Sequence, residues 1–143
     1  ALNFAWDLPG HGYTKNDAKP TYQVGLTQYN GSTGSDEFSD CGVFVATVMI
    51  ASGADTSYPK RGTVVQQPYL DGSPKYQSLG VITSTSQLRP GDILISSSHT
   101  YIYVGPQPAI NGKSYNSVAA SLGDHVPQAD NFYSDGFRGY HLK

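Results

Sequence analysis

The sequence predicts an α+β domain in which N-terminal helices pack on an antiparallel sheet built from the C-terminal half. Three observations lead there. The best helical segment lies early, over residues 40–52. Stretches rich in β-formers then follow one another from residue 92 onward. No helical stretch separates those strands, so they pair antiparallel and leave the helices to cover one face. A chain of 143 residues suits one domain with one core. No linker, internal repeat or low-complexity tract divides it, so a single domain over 1–143 is expected.

Taken in order, "ALNFAWDL" (1–8) reads as a short helix ended by "PGHG". Residues 9–38 are mostly polar with scattered tyrosines, and "NGSTGSDEFSD" reads as a flexible loop. From Asp40 to Ser52 the chain reads as helix, with Ser39 or Asp40 able to cap it and Gly53 able to end it. Cys41, Phe44, Val45, Val48 and Ser52 recur at helical spacing, which puts the sulfur at the N-terminal end of the inward stripe. "RGTVVQQPYL" (61–70) predicts a short second helix broken at Pro68, and "DGSPKYQSLG" reads as turn. "DILISSS" (92–98) runs into "HTYIYVG" (99–105), "PQPAINGK" turns the chain, and "YNSVAASLG" (115–123) and "FRGYHLK" (137–143) supply the remaining strands.

Composition excludes several functions. Hydrophobic residues make up 38% and charged residues 14%, with eleven Tyr, sixteen Gly and nine Pro. That describes a loop-rich, polar but weakly charged surface, and not a disordered tail. A net charge of -2 gives no basic footprint for nucleic acid. No apolar stretch approaches the length of a membrane span. One cysteine and four dispersed histidines lack metal-ligand spacing, and no glycine-rich phosphate loop is present. No signal peptide is visible, and the opening "ALNFAW" is compatible with a mature or trimmed form.

The lone cysteine carries the chemical question. Cys41 leads a helix, where unpaired N–H groups and a partial positive charge favour its thiolate. A thiol near pKa 8.5 is otherwise only a few per cent ionised at pH 7. A small buried hydrophobe is the competing reading of the same residue. Activation needs a base. His11 lies in a Gly/Pro loop, His125 in the turn-like "GDHVP", and His141 near the end of the last strand. His99 instead opens a strand rich in β-formers, a rigid place to hold an imidazole.

"DCGVFV" (40–45), "LRPGDILI" (88–95) and "HTYIYVG" (99–105), in that order, resemble the NlpC-type cell-wall peptidases. These are papain-like cysteine hydrolases of bacterial peptidoglycan, with the usual pattern D-C-S-G-F, P-G-D-L and H-V-G-I-Y-x-G. The similarity covers roughly residues 29–143. It implies a papain-like fold, Cys41 as nucleophile, His99 as general base and a thioester acyl-enzyme, with no cofactor. It also implies a secreted or cell-envelope location and a substrate bond in the peptidoglycan stem peptide, often the one between D-Glu and a diamino acid. The expected partner is therefore the stem peptide, with no nucleic acid and no membrane span, and a monomer is the default expectation.

Tyr29 stands twelve positions before the cysteine, where the family's cleft tyrosine stands, though the neighbouring tryptophan is absent. Asp40 matches the family's acid before the nucleophile and can cap the helix, hold the loop or bind a substrate amine. Asp92, in "PGD", reads as a turn residue. Two departures matter. The family's third polar residue, which orients the histidine, falls on Ala119, which has no hydrogen-bonding side chain. Ser121, on the same strand face, is the first candidate for that role, followed by Asp124 and His125. Gly42 also replaces the serine after the nucleophile, which bears on substrate selectivity. Lys60 and Arg61 can meet a peptide carboxylate, though a solvated turn explains them as well. A related amidase cutting the sugar–peptide amide, a non-catalytic wall-binding module, and a toxin turned on a competitor's wall remain alternative readings.

Overall fold

The computed structural model describes residues 41–59, 62–110, 113–120 and 127–143. The helix expected over 1–8 and the polar stretch over 9–38 lie outside the described residues, as do Lys60 and Arg61. Within them the architecture is mixed α+β. Two helices, α1 (Cys41–Ala51) and α2 (Thr63–Gly72), precede the strands β1 (Tyr76–Val81), β2 (Ile93–Ile95), β3 (Thr100–Ile110), β4 (Lys113–Ala120), β5 (Pro127–Asp130) and β6 (Arg138–Leu142). A 3-10 turn covers Thr85–Gln87. The strands form one sheet in the order β1-β6-β2-β3-β4-β5, with every described pairing antiparallel.

α1 forms where its apolar run predicts, and Gly53 ends it. At φ +77°, Gly53 adopts the left-handed turn that L side chains avoid, and its N–H returns to the Ile50 carbonyl at 3.1 Å. The expected inward stripe is too narrow, however. Phe44, Val45, Ala46, Val48 and Met49 are all at most 5% exposed, whereas Ser52 is exposed. The helix is enclosed by the sheet on one side and by Tyr58 and Leu70 on the other, so successive residues are buried instead of one face.

Other expectations need correcting. Pro68 does not break the second helix, which runs through it to Gly72. Proline removes the bond to the carbonyl four residues back, and that carbonyl belongs to Val64, a 79% exposed residue on the solvent side. The stretch expected to be turn contains β1, because pairing with β6 organises it from afar: Tyr76 lies opposite Leu142 and Val81 opposite Arg138. β2 is shorter than the run that suggested it. The Ser96 N–H donates to the His99 carbonyl at 2.8 Å and closes a turn between β2 and β3. β3 continues through Pro106 and Pro108 to Ile110, with register irregularities on either side of Gln107. β5 arises in a stretch with no strand signal of its own.

The sheet buries both faces. Ile93, Ile95, Ile102, Val104 and Val118 point towards α1 and α2, joined by Tyr76 and Tyr140. Leu94, Tyr101, Tyr103 and Ala119 alternate to the other side, where Ile82, Leu88 and Phe137 from the connecting segments cover them. Gly139 allows this second layer to close, since a Cβ there would sit 2.8 Å from Ile82 Cγ1. A buried carboxylate ties the helix side together. Asp55, 2% exposed, accepts the Tyr69 and Tyr76 hydroxyls on Oδ2, each at 2.8 Å. Its Oδ1 accepts Lys75 Nζ at 3.2 Å and the Ser57 amide at 3.1 Å. Burial works to raise its pKa, but these donors, Tyr69 and Tyr76 foremost, outweigh burial and hold it below the ordinary carboxylate value.

Candidate active site

The first turn of α2 fastens the segments that carry the two candidate residues. Gln66, fully buried, donates its Nε2 to the Gly42 carbonyl at 2.8 Å and to the Pro59 carbonyl at 3.1 Å. Thr63, one turn earlier on the same helical face, donates its hydroxyl to the Ser97 carbonyl at 2.9 Å. The residue after Cys41 and the turn leading into His99 are thus fastened to one turn of one helix. Sequence separation had hidden this, because neither Thr63 nor Gln66 belongs to a recognisable motif.

Cys41 is the first residue of α1 and is half-buried. The helix therefore directs the positive end of its dipole at the sulfur's own turn. His99 is clamped through its backbone. Its N–H donates to Ser96 Oγ at 3.2 Å, and its carbonyl accepts the Ser96 N–H. The ring lies on an aromatic surface, nearly parallel to Tyr101 (centroids 5.9 Å apart, planes at 29°) and edge-on to Phe137 at 6.1 Å. Tyr133 continues that surface, stacked on Tyr101 at 5.6 Å and 10° and edge-on to Phe137 at 5.2 Å. The Tyr101 hydroxyl donates to the Tyr133 carbonyl at 3.3 Å, which fixes the loop carrying Tyr133.

Electrostatics link these rings to the cysteine. Burial lowers the pKa of His99 below its ordinary 6.5, while the Asp130 carboxylate pulls in the opposite direction and loses. The imidazole is therefore neutral at pH 7 and available to accept a proton. Burial also raises the Tyr133 phenol, helped by Asp130, Asp135 and the Cys41 sulfur. Cys41 and Asp130 thus both lie within electrostatic reach of Tyr133, whose ring belongs to the surface on which His99 rests. Tyr133 is 43% exposed and forms the open edge of this otherwise buried cluster.

Of the residues expected to act here, Cys41 and His99 lie in segments that α2 fastens together. Tyr29, Asp40, Ser121, Asp124 and His125 lie outside the described residues. Ala119 is buried against the Tyr101 cluster. Asp130 and Tyr133 were not anticipated. Asp130 reaches this face because β5 pairs with β4, with Ser117 opposite Asp130, and the "PQAD" stretch that forms β5 has no alternating apolar pattern. Tyr133 is one of eleven tyrosines, and nothing in its flanks distinguishes it.

Among the described residues, no group of three or more His, Cys, Asp or Glu side chains is placed to hold a metal ion. No helix among them is long and apolar enough to cross a membrane. Compared with known proteins, the chain matches no protein-family model, no curated protein and no solved structure.

Proposed function

We propose that this chain is a papain-like cysteine hydrolase of the NlpC type that cuts peptide bonds in bacterial peptidoglycan stem peptides. The observation that carries the reading is the double tether from one turn of α2, through Gln66 to Gly42 and through Thr63 to Ser97. It holds the two segments that bear the thiol and the imidazole. The lowered pKa of His99 supports it further, because a general base must be unprotonated at working pH.

In this mechanism neutral His99 removes the Cys41 proton, and the thiolate attacks the carbonyl carbon of the scissile bond. The negative charge that develops on the carbonyl oxygen is met by backbone N–H groups in the first turn of α1. The imidazolium then gives its proton to the departing amine as the C–N bond breaks, leaving a thioester on Cys41. Water, deprotonated by the same imidazole, attacks the thioester and releases the acid, and the proton returns to the thiolate. Asp130 stabilises the imidazolium form of His99 through space, a role for which the family resemblance suggested Ser121, Asp124 or His125. Tyr133 provides an exposed ring at the edge of the site for substrate to pack against.

Cys41→Ala in the full chain tests the assignment. Purified peptidoglycan is digested, and the released fragments and new amines are identified by mass spectrometry. Wild-type protein is expected to release stem-peptide fragments, and the variant to release none while keeping its thermal midpoint. Digestion by the alanine variant at the wild-type rate would overturn the nucleophile. A new amine on the sugar-linked lactyl amide, instead of within the stem, would replace peptidase with amidase.

A further inference from the structure

We propose that Tyr101 is a positioning residue for His99, fixing the direction of the imidazole by ring stacking in place of a hydrogen bond. As a part in catalysis this deepens the hydrolase reading above and rests on it. Among the described residues, the hydrogen bonds of His99 are made by its backbone: its N–H donates to Ser96 Oγ, and its carbonyl accepts the Ser96 N–H and hydroxyl. What meets the ring is aromatic. Tyr101 lies nearly parallel to it, with centroids 5.9 Å apart and planes at 29°, and Phe137 stands edge-on at 6.1 Å. Both spacings fall within the range of attractive ring contacts. His99 stands just before β3 and Tyr101 is the second residue of that strand, so an extended chain sends both side chains to one face.

Tyr101 is itself held from several sides. It is 1% exposed. Its hydroxyl donates to the Tyr133 carbonyl at 3.3 Å and accepts the Tyr133 N–H at 3.4 Å. Its ring stacks with Tyr133 at 5.6 Å and meets Phe137 edge-on at 5.2 Å. A ring fixed at its tip and on its face is a rigid support, and turning the imidazole away from it forfeits the contact. The neighbouring strand makes room for this ring. Val118 pairs with Ile102, so Ala119 follows beside Tyr101, and both pack in one cluster. The strand position expected to orient the histidine thus carries a methyl group, and the adjacent strand supplies a flat surface instead. An aromatic face accepts a neutral imidazole by stacking and an imidazolium by cation–π attraction. Tyr101 therefore holds the ring before and after proton transfer, whereas Asp130 acts on its charge.

The full chain carrying 13C,15N-labelled histidine is studied by NMR without substrate, and kcat and KM are measured on a synthetic stem peptide. Wild-type protein is expected to show Overhauser contacts between the ring protons of His99 and Tyr101, and a His99 ring signal displaced from that of an exposed histidine. Tyr101→Phe keeps the ring and is expected to retain that signal and kcat. Tyr101→Leu removes the ring and is expected to return the signal towards the exposed position. Its kcat should fall about tenfold or more with KM little changed, as for a misdirected base. Melting curves confirm folding, and if Tyr101→Leu does not fold, the wild-type contacts and Tyr101→Phe still decide. Missing contacts in the wild type, a folded Tyr101→Leu with unchanged signal and kcat, or equal losses in Tyr101→Phe and Tyr101→Leu would each overturn the proposal. A wild-type chain that cuts no stem peptide would sink the hydrolase reading instead, and the spectra would still decide what orients the imidazole.

Discussion

On the helix-covered face of the sheet, Ile93, Ile95, Ile102, Val104 and Val118 present branched aliphatic side chains to Phe44 and Val45 of α1. On the opposite face, Tyr101, Tyr103 and Phe137 present rings, and the partly exposed Tyr133 and His99 extend that ring surface to its edge. Aliphatic side chains interdigitate and exclude water, which suits a face whose task is stability. Aromatic side chains keep a polar tip while burying a large flat body, which suits a face that carries the His99 ring at its edge beside solvent. The alternation of side chains along β3 is enough to separate the two tasks: Ile102 and Val104 serve one, Tyr101 and Tyr103 the other.

The contrast can be broken by substitution, and the largest effect is expected on the aliphatic side. Phe44→Ala should reduce unfolding free energy by about 3–5 kcal/mol, because the site is fully buried and cannot readily collapse. Urea denaturation measures it, and a loss below 1 kcal/mol, about the cost of an exposed substitution, would show that α1 is not part of the core. Asp55→Asn comes next. It keeps the shape but replaces a carboxylate that receives three side-chain donors, and a loss of about 2–3 kcal/mol at neutral pH is expected. The sign of its pH dependence follows from its lowered pKa. The wild-type contribution is present above the unfolded value near 3.8 and is lost as pH falls through the folded value, whereas the asparagine variant lacks that acid step. Parallel acid titrations of the two proteins would sink this account if their stabilities fell together.

The smallest effect is expected on the aromatic side, and it should appear in kinetics. Asp130→Asn removes a charge that favours protonated His99, so the imidazole pKa should fall further. Under the proposed mechanism, the acid limb of kcat/KM is expected to move to lower pH than in the wild type. The rate on the plateau should fall by less than about tenfold, since the proposed base, His99, is retained. An acid limb that stays in place would separate Asp130 from the base, and the same measurement on Tyr133→Phe controls for disturbance of the ring surface.

Local signals made α1 legible: an apolar run at helical spacing with a glycine just beyond it. Cys41 and His99 stood out as candidates in the sequence because a helix start and the approach to a strand are positions with chemical meaning, and the structure places Cys41 first in α1 and His99 just before β3. What stayed hidden depends on partners distant in sequence. β1 contains Gly80 and follows Pro74, and only β6 makes it a strand. Asp130 becomes relevant to His99 through the pairing of β5 with β4, and Thr63 through a single hydrogen bond to the β2–β3 turn. His141 gave no sign of its buried carboxylate partner, because Asp92 reads equally well as an ordinary turn residue.

The position of residues 138–142 between β1 and β2 has a consequence for biosynthesis. As the polypeptide leaves the ribosome, β1 emerges long before the strand it hydrogen-bonds to, and the neighbouring edge of β2 waits equally bare. Until that late segment arrives, the nascent chain carries two open strand edges, each a template for unwanted pairing with other chains. Shielding of those edges during translation would therefore bear on yield, independently of the stability of the finished fold.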